Sequence, residues 1–186
     1  MEKKKIGNNG FVYPMPMTII SSEMDGKPNF LAAAWVNRVN YKPPLLAVAL
    51  GTHYTNKGIE KYKEFGVNIP CESMIKATDF CGLVSGKQTD KSKLFTTFKG
   101  ELRHAPMIEE CPLTMECKLI QSVPLGFDNL YIAEVIGVYT EDRYLTNNNP
   151  DIAKMLPFVL TMPDNNYWSI GKNLGKAWDI GKEFRK

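Results

Sequence analysis

The chain has 186 residues, of which 44% are hydrophobic and 23% charged, and a formal net charge of +3. That length suits one domain whose core needs no cross-links, and so mild a charge excludes the dense basic face of a dedicated nucleic-acid binder. No apolar run approaches the ~20 residues that span a bilayer, and none follows Lys3–Lys5 as a secretory signal requires, so the expectation is a cytoplasmic protein without a membrane partner. In chain order, residues 11–22 are rich in Met, Thr and Ile, and Pro14 and Pro16 suit a strand's beginning or an edge. Asp25-Gly26 predicts a tight turn. Residues 30–36 form a short apolar strand rich in small side chains, and Lys42-Pro43-Pro44 breaks any helix. Leu45–Leu50 is a continuous apolar run, expected to be a strand buried on both faces.

Residues 55–65 predict a helix, with Thr55 or Asn56 as its cap and Ile59, Tyr62 and Phe65 at helical spacing. Gly66 is expected to end it, and residues 67–69 to form a short strand stopped by Pro70. Residues 73–80 suit a second short helix, and Asp90 before Leu94, Phe95 and Phe98 suits a capped helical turn. Residues 113–122 and 129–142 are the clearest strands. Asn149-Pro150-Asp151 opens a short helix, and the tail from 167 to 186 mixes glycine with aromatics. Many short strands and few helices predict a mainly β barrel or sandwich.

The common catalytic signatures are missing. There is no G-x-G-x-x-G, no P-loop, no G-x-S-x-G and no H-E-x-x-H. Cys71, Cys81, Cys111 and Cys117 make no C-x-x-C pair, and His53 and His104 sit in no zinc pattern, so no metal is expected. The cysteines read as reduced thiols, with Cys81 as the one alternative reactive thiol. Glu109-Glu110 reads as a solvated loop. No residue identifies itself as catalytic.

Three segments carry ligand chemistry. Asn29 precedes Ala32, Ala33 and Ala34; such small side chains either admit a flat ligand or pack a tight interior. The turn Gly51-Thr52-His53-Tyr54 leads into a helix whose free N–H groups suit a phosphate, unless Thr55 simply caps it. Ser85-Gly86, with Lys87 or Lys91 as a cation, suits a phosphate cradle.

Taken in order, Met15-Pro16, Asn29, Ala34-Trp35, Pro43-Pro44, Thr55-Asn56 and Phe65-Gly66-Val67-Asn68-Ile69-Pro70 resemble the flavin-reductase-like family. Cys81-Gly82, Ser85-Gly86, Asp90-Lys91, Pro112-Leu113, Glu116-Cys117 and Glu134-Val135 continue the series, which is most similar to the subgroup of flavoredoxin and related ferric reductases. Ser92 departs from it, standing where Phe is usual. The resemblance implies a split β-barrel of Greek-key type, one FMN-binding domain over residues 1–186. It implies a homodimer, with a tail from about residue 145 packing on the partner. It also implies an oxidoreductase that passes electrons from NAD(P)H through FMN to free flavin, ferric iron or a redox protein. A flavoredoxin-like carrier that does not oxidise NAD(P)H is the alternative, and a non-flavin β-barrel binding module is the third.

Carried over by position, Asn29, Phe30, Leu31, Ala32 and Ala33 line the flavin ring. Ala49, Leu50, Gly51, His53, Thr55 and Asn56 wrap the ribityl chain and phosphate. Asn68 and Pro70 flank the ring, while Ser85, Gly86 and Lys91 hold the phosphate or pyrimidine side. A flavin brings its own redox chemistry, so no acid–base triad is needed.

Overall fold

Alternating burial along short strands shapes the fold, described for residues 1–184 in a computed structural model. The strands are β1 (Met15–Pro16), β2 (Thr18–Met24), β3 (Lys27–Ala33), β4 (Val36–Asn40), β5 (Leu45–Leu50) and β6 (Glu64–Ile69). They continue as β7 (Thr97–Phe98), β8 (Met107–Ile108), β9 (Leu113–Pro124), β10 (Asn129–Thr140), β11 (Leu145–Thr146), β12 (Asn149–Pro150), β13 (Phe158–Thr161) and β14 (Asn166–Ser169). Three α-helices are α1 (Tyr54–Tyr62), α2 (Ile75–Leu83) and α3 (Ile152–Met155).

Seven strands form one antiparallel sheet in the order β3-β2-β6-β9-β10-β5-β4. Its two edges, β3 and β4, are consecutive in the chain, and the Ala49 N–H donates to the Trp35 carbonyl between them. The sheet therefore curls around a shared interior and stays open along one seam, a split barrel. Ile20, Leu31, Leu46, Val48, Phe65, Val67, Tyr131 and Ala133 fill that interior from five strands, with Ile59 of α1.

A second core lies outside the sheet beneath α2. It joins Ile19, Phe30, Met74, Cys81, Phe95, Ile108 and Cys111, with the Phe30 and Phe95 rings edge to face at 5.1 Å. β2 and β3 thus feed both cores by strand alternation: Ile20 and Leu31 point inward, Ile19 and Phe30 outward. This alternation puts Asn29 on the face of Leu31, above the barrel's open end.

The turn at Asp25-Gly26 holds both residues at positive φ, 49° and 78°, the geometry a two-residue hairpin requires. The strand read over residues 11–22 is two, broken at Met17. Leu45–Leu50 is a strand, but only Leu46, Val48 and Leu50 are buried, so it is covered on one face. The first helix ends earlier than expected. Lys63 adopts φ 58° and its N–H closes on the Ile59 carbonyl at 2.9 Å. Gly66 instead lies inside β6, where a Cβ would meet the Ser21 hydroxyl and the Pro106 carbonyl. The capped turn expected after Asp90 is a single turn and not a helix: the Asp90 Oδ1 accepts the Ser92 N–H at 2.9 Å and the Lys91 carbonyl accepts the Leu94 N–H at 3.0 Å. The short helix after Asn149 is α3, capped by Asp151 through the Ala153 N–H. Tyr167 and Trp168 belong to a three-stranded sheet of β1, β13 and β14. Residues 185 and 186 of the expected tail lie outside the described residues.

Candidate functional site

A cleft of about 250 Å³ opens where the β5–α1 turn, the end of α2 and the inner face of β3 meet. Leu31, Thr52, His53, Tyr54, Thr55, Leu83, Val84, Ser85, Gly86 and Lys91 line it. A second cavity of about 300 Å³ lies beside it, lined by Asn29 and Asp90 among others, and shares Tyr54, Gly86 and Lys91. Together they reach the size range of small-molecule pockets.

A clamp holds the segments together. The Asn29 Nδ2 donates to the Thr55 hydroxyl at 2.7 Å, and a Cβ on Gly86 would collide with the Asn29 carboxamide oxygen. Residues 29, 55 and 86 therefore meet although they lie far apart in the chain. Ser22 on β2 also donates to the Thr55 carbonyl at 3.0 Å, fixing the first turn of α1.

That first turn is open to a ligand. His53 is the N-cap residue in extended geometry and no side chain caps the helix. The Tyr54 and Thr55 amides have no intrahelical acceptor, and no acidic residue occupies the first turn, so the site favours an anion. The expected cap by Thr55 or Asn56 is corrected here. The Thr55 oxygen faces Asn29, and the Asn56 Nδ2 donates to the Gly51 carbonyl at 2.8 Å. Asn56 Oδ1 is buried without a protein partner.

Lys91 does two jobs. It is 4% exposed, and its Nζ donates to the Cys81 and Val84 carbonyls at 3.1 Å each, closing the end of α2. An ammonium has three donors, so one N–H remains for the cleft that Lys91 lines. Burial pulls its pKa below the usual lysine value. At the cleft's lip, desolvation and the Lys91 charge hold His53 below the ordinary histidine value, while Asp128 opposes them. The imidazole is therefore neutral at pH 7. Ser85 accepts the Lys87 N–H, so its own hydroxyl proton is free to donate.

Of the residues singled out by sequence, Leu31, His53, Thr55, Ser85, Gly86 and Lys91 share the cleft, and Asn29 braces it. Others serve the scaffold. Phe30 is in the outer core, and Ala32 packs where a Cβ on Gly82 would lie 3.4 Å away. Ala33 and Leu50 pack in the barrel interior, while Ala32 is half-buried. Ala49 pairs with Leu130 in the sheet, and Gly51 packs toward Phe127 and Asp128. Pro70 is buried. Asn68 is wholly buried and donates to the Ile19 carbonyl and the Ser21 hydroxyl, while its Oδ1 accepts the Ile108 N–H. Both of its N–H donors are thus used inside the protein, and it does not line the cleft. Burial pushes the Cys81 thiol up to about 11 against the Lys91 charge, so it is no reactive thiolate. Thr52 and Tyr54, in the turn already read as a phosphate candidate, also line the cleft, as do Leu83 and Val84, whose contiguity with Ser85 was the only available signal.

The family model described as "Flavin reductase like domain" matches residues 10–158. Flavoredoxin from Methanosarcina acetivorans is 47% identical, covers 100% of both chains and superposes with a TM-score of 0.97. Flavoredoxin of Desulfovibrio vulgaris (Miyazaki F) is 31% identical over 97% of this chain and 100% of its own, with a TM-score of 0.90. A protein of Archaeoglobus fulgidus is 30% identical over 76% of this chain and 81% of its own.

Proposed function

This chain belongs to the flavin-reductase-like family, and from that premise we propose that it binds FMN in the cleft and passes electrons through it. The observation that carries the reading is convergence. An uncapped helix start, the remaining Lys91 N–H and the Ser85 hydroxyl, drawn from separate segments, meet at one small cleft braced by Asn29. That donor set fits a phosphate monoester.

When bound, the flavin supplies the redox chemistry itself. The chain's residues bind and orient. The Tyr54 and Thr55 amides, Ser85 and Lys91 hold the phosphate. Asn29, kept in place by Thr55 and Gly86, offers its carboxamide to the polar edge of the ring. Leu31 and Val84 keep water from the apolar wall. His53, neutral, adds a hydrogen-bonding group without adding charge.

The likeness to two flavoredoxins favours a carrier role, in which FMN stays bound and exchanges electrons with a partner protein. Oxidation of NAD(P)H, followed by reduction of free flavin or ferric iron, is the second reading, and the family's name favours it. Exposed Trp35, Val39 and Tyr41 along the β4 edge, with Trp178 and Phe184 in the tail, support a homodimer.

FMN titration of wild type and Lys91→Met tests the site. The variant should lose about tenfold in FMN affinity and far less for riboflavin. Equal losses for both ligands would detach Lys91 from the phosphate. Anaerobic addition of NADH or NADPH to the FMN-loaded protein separates the two roles: flavin bleaching marks the reductase, and an unchanged spectrum marks the carrier. Sedimentation with FMN bound should give twice the chain mass.

A further inference from the structure

A cavity of about 480 Å³ lies outside the flavin cleft and shares none of its lining residues. It opens between the β7–β8 hairpin and the paired ends of β9 and β10. Phe98 and Tyr139 make one wall, their rings edge to face at 5.6 Å. Ile108 and Cys111, both buried, make an apolar floor that belongs to the outer core.

One polar atom in this cavity is unaccounted for. Thr114 is 2% exposed and its Oγ1 has no hydrogen-bond partner among the described residues. Its hydroxyl neighbours are committed. Thr140 donates to the Pro112 carbonyl at 2.7 Å, and Tyr139 donates to Glu116 at 2.5 Å. Buried hydroxyls are nearly always bonded, so an uncommitted one on a residue that lines a cavity points to a ligand.

The charge at the mouth is one-sided. Glu109 and Glu141 line it, and among the described residues no Lys, Arg or His does. Arg143 does pair with Glu141 at 2.5 Å, but both side chains are more than half exposed, so the pair is weak and readily exchanged.

We propose that this cavity is a second ligand site, which takes a flat organic cation with its ring against Phe98 and Tyr139. The cation's N–H groups would face Glu109, Glu141 and the Thr114 oxygen. Aromatic rings attract cations through their faces, carboxylates add charge-assisted hydrogen bonds, and both disfavour anions. The inference does not depend on flavin binding.

Benzamidine, benzamide and benzoate share one shape and differ in charge, so they serve as probes. Binding is measured by ligand-observed NMR on the full chain, with and without added FMN. Benzamidine should bind about tenfold more tightly than benzoate, with benzamide between them. Thr114→Val, which keeps the side chain's shape, should weaken benzamidine and benzamide alike by about fivefold. Changing the exposed Glu109→Gln and Glu141→Gln together should bring benzamidine down to the benzamide level. FMN should displace none of the probes. No binding of any probe, equal binding of benzamidine and benzoate, indifference to both sets of changes, or displacement by FMN would each overturn the proposal.

Discussion

Asn29 and Asn68 sit in neighbouring parts of one sheet, and both are almost wholly buried, at 5% and 0% exposed. They do opposite work. Asn68 spends both ends of its carboxamide inside the protein, tying β2 to the end of β8 through three hydrogen bonds. Asn29 makes one bond, to Thr55, and lines a cavity with the rest of its carboxamide. Burial and residue type do not separate a cavity-lining asparagine from a scaffold one. The count of hydrogen-bond partners does.

The largest expected effect follows from the satisfied residue. Asn68→Ala leaves the Ile108 N–H and the Ile19 carbonyl without this partner inside the protein. Each such loss costs roughly 1–3 kcal/mol, so urea unfolding should show a loss of about 3 kcal/mol. The fraction that remains folded should take up FMN as wild type does. A variant with unchanged stability but lost FMN binding would reverse the roles assigned to the two asparagines.

Asn29→Ala sharpens the comparison from the other side. One hydrogen bond is lost, worth about 1 kcal/mol of stability. The Thr55 hydroxyl then loses its brace and the cleft a polar group, so FMN affinity should fall about tenfold. Gly86→Ala should reproduce the affinity loss, because its Cβ would occupy the place of the Asn29 oxygen. Calorimetric titration with FMN checks both variants. Unaltered affinity in the pair would leave Asn29 a scaffold residue like Asn68.

Much of the scaffold was legible because it rests on local pattern. The Asp25-Gly26 turn and the two long strands follow from turn chemistry and alternation, and Leu45–Leu50 follows as a strand from its apolar run, though not its burial on one face only. At the start of α1 the sequence offered two readings, a cap by Thr55 or free first-turn amides, and it could not choose between them because the Thr55 oxygen is drawn away by Asn29 from a distant strand. What sequence could not supply was facing. Phe30 and Leu31 are adjacent and both apolar, yet they enter different cores, and only the second reaches the cleft. Lys63 rather than Gly66 ends α1, because a lysine accepts the left-handed region where the next strand must begin at Glu64. Lys91 looked like a free cation; two of its donors close α2, a long-range contact with no sequence signal.

A third buried polar centre, at the rim of α1, sets the small end of the scale. Glu23 accepts hydrogen bonds from Lys99 at 2.9 Å and His104 Nδ1 at 3.2 Å, and the His104 ring stacks on Tyr62 at 4.0 Å. Burial alone would raise the Glu23 pKa, but the bonds from Lys99 and His104 outweigh it, and the net value lies below the ordinary 4.5. A carboxyl whose folded pKa is depressed stabilises the fold fully above its unfolded pKa, and loses that contribution as pH falls through the folded value. Glu23→Gln should therefore cost about 0.5–1 kcal/mol at neutral pH. The gap from wild type should close as pH drops below 4.5. The Lys27–Asp90 pair is the control. Both its side chains are more than half exposed, so Asp90→Asn should leave stability nearly unchanged. A Glu23→Gln deficit that persists undiminished in acid would mean that Glu23 acts by packing. It would then stand with Asn68 as a scaffold residue whose worth is independent of charge.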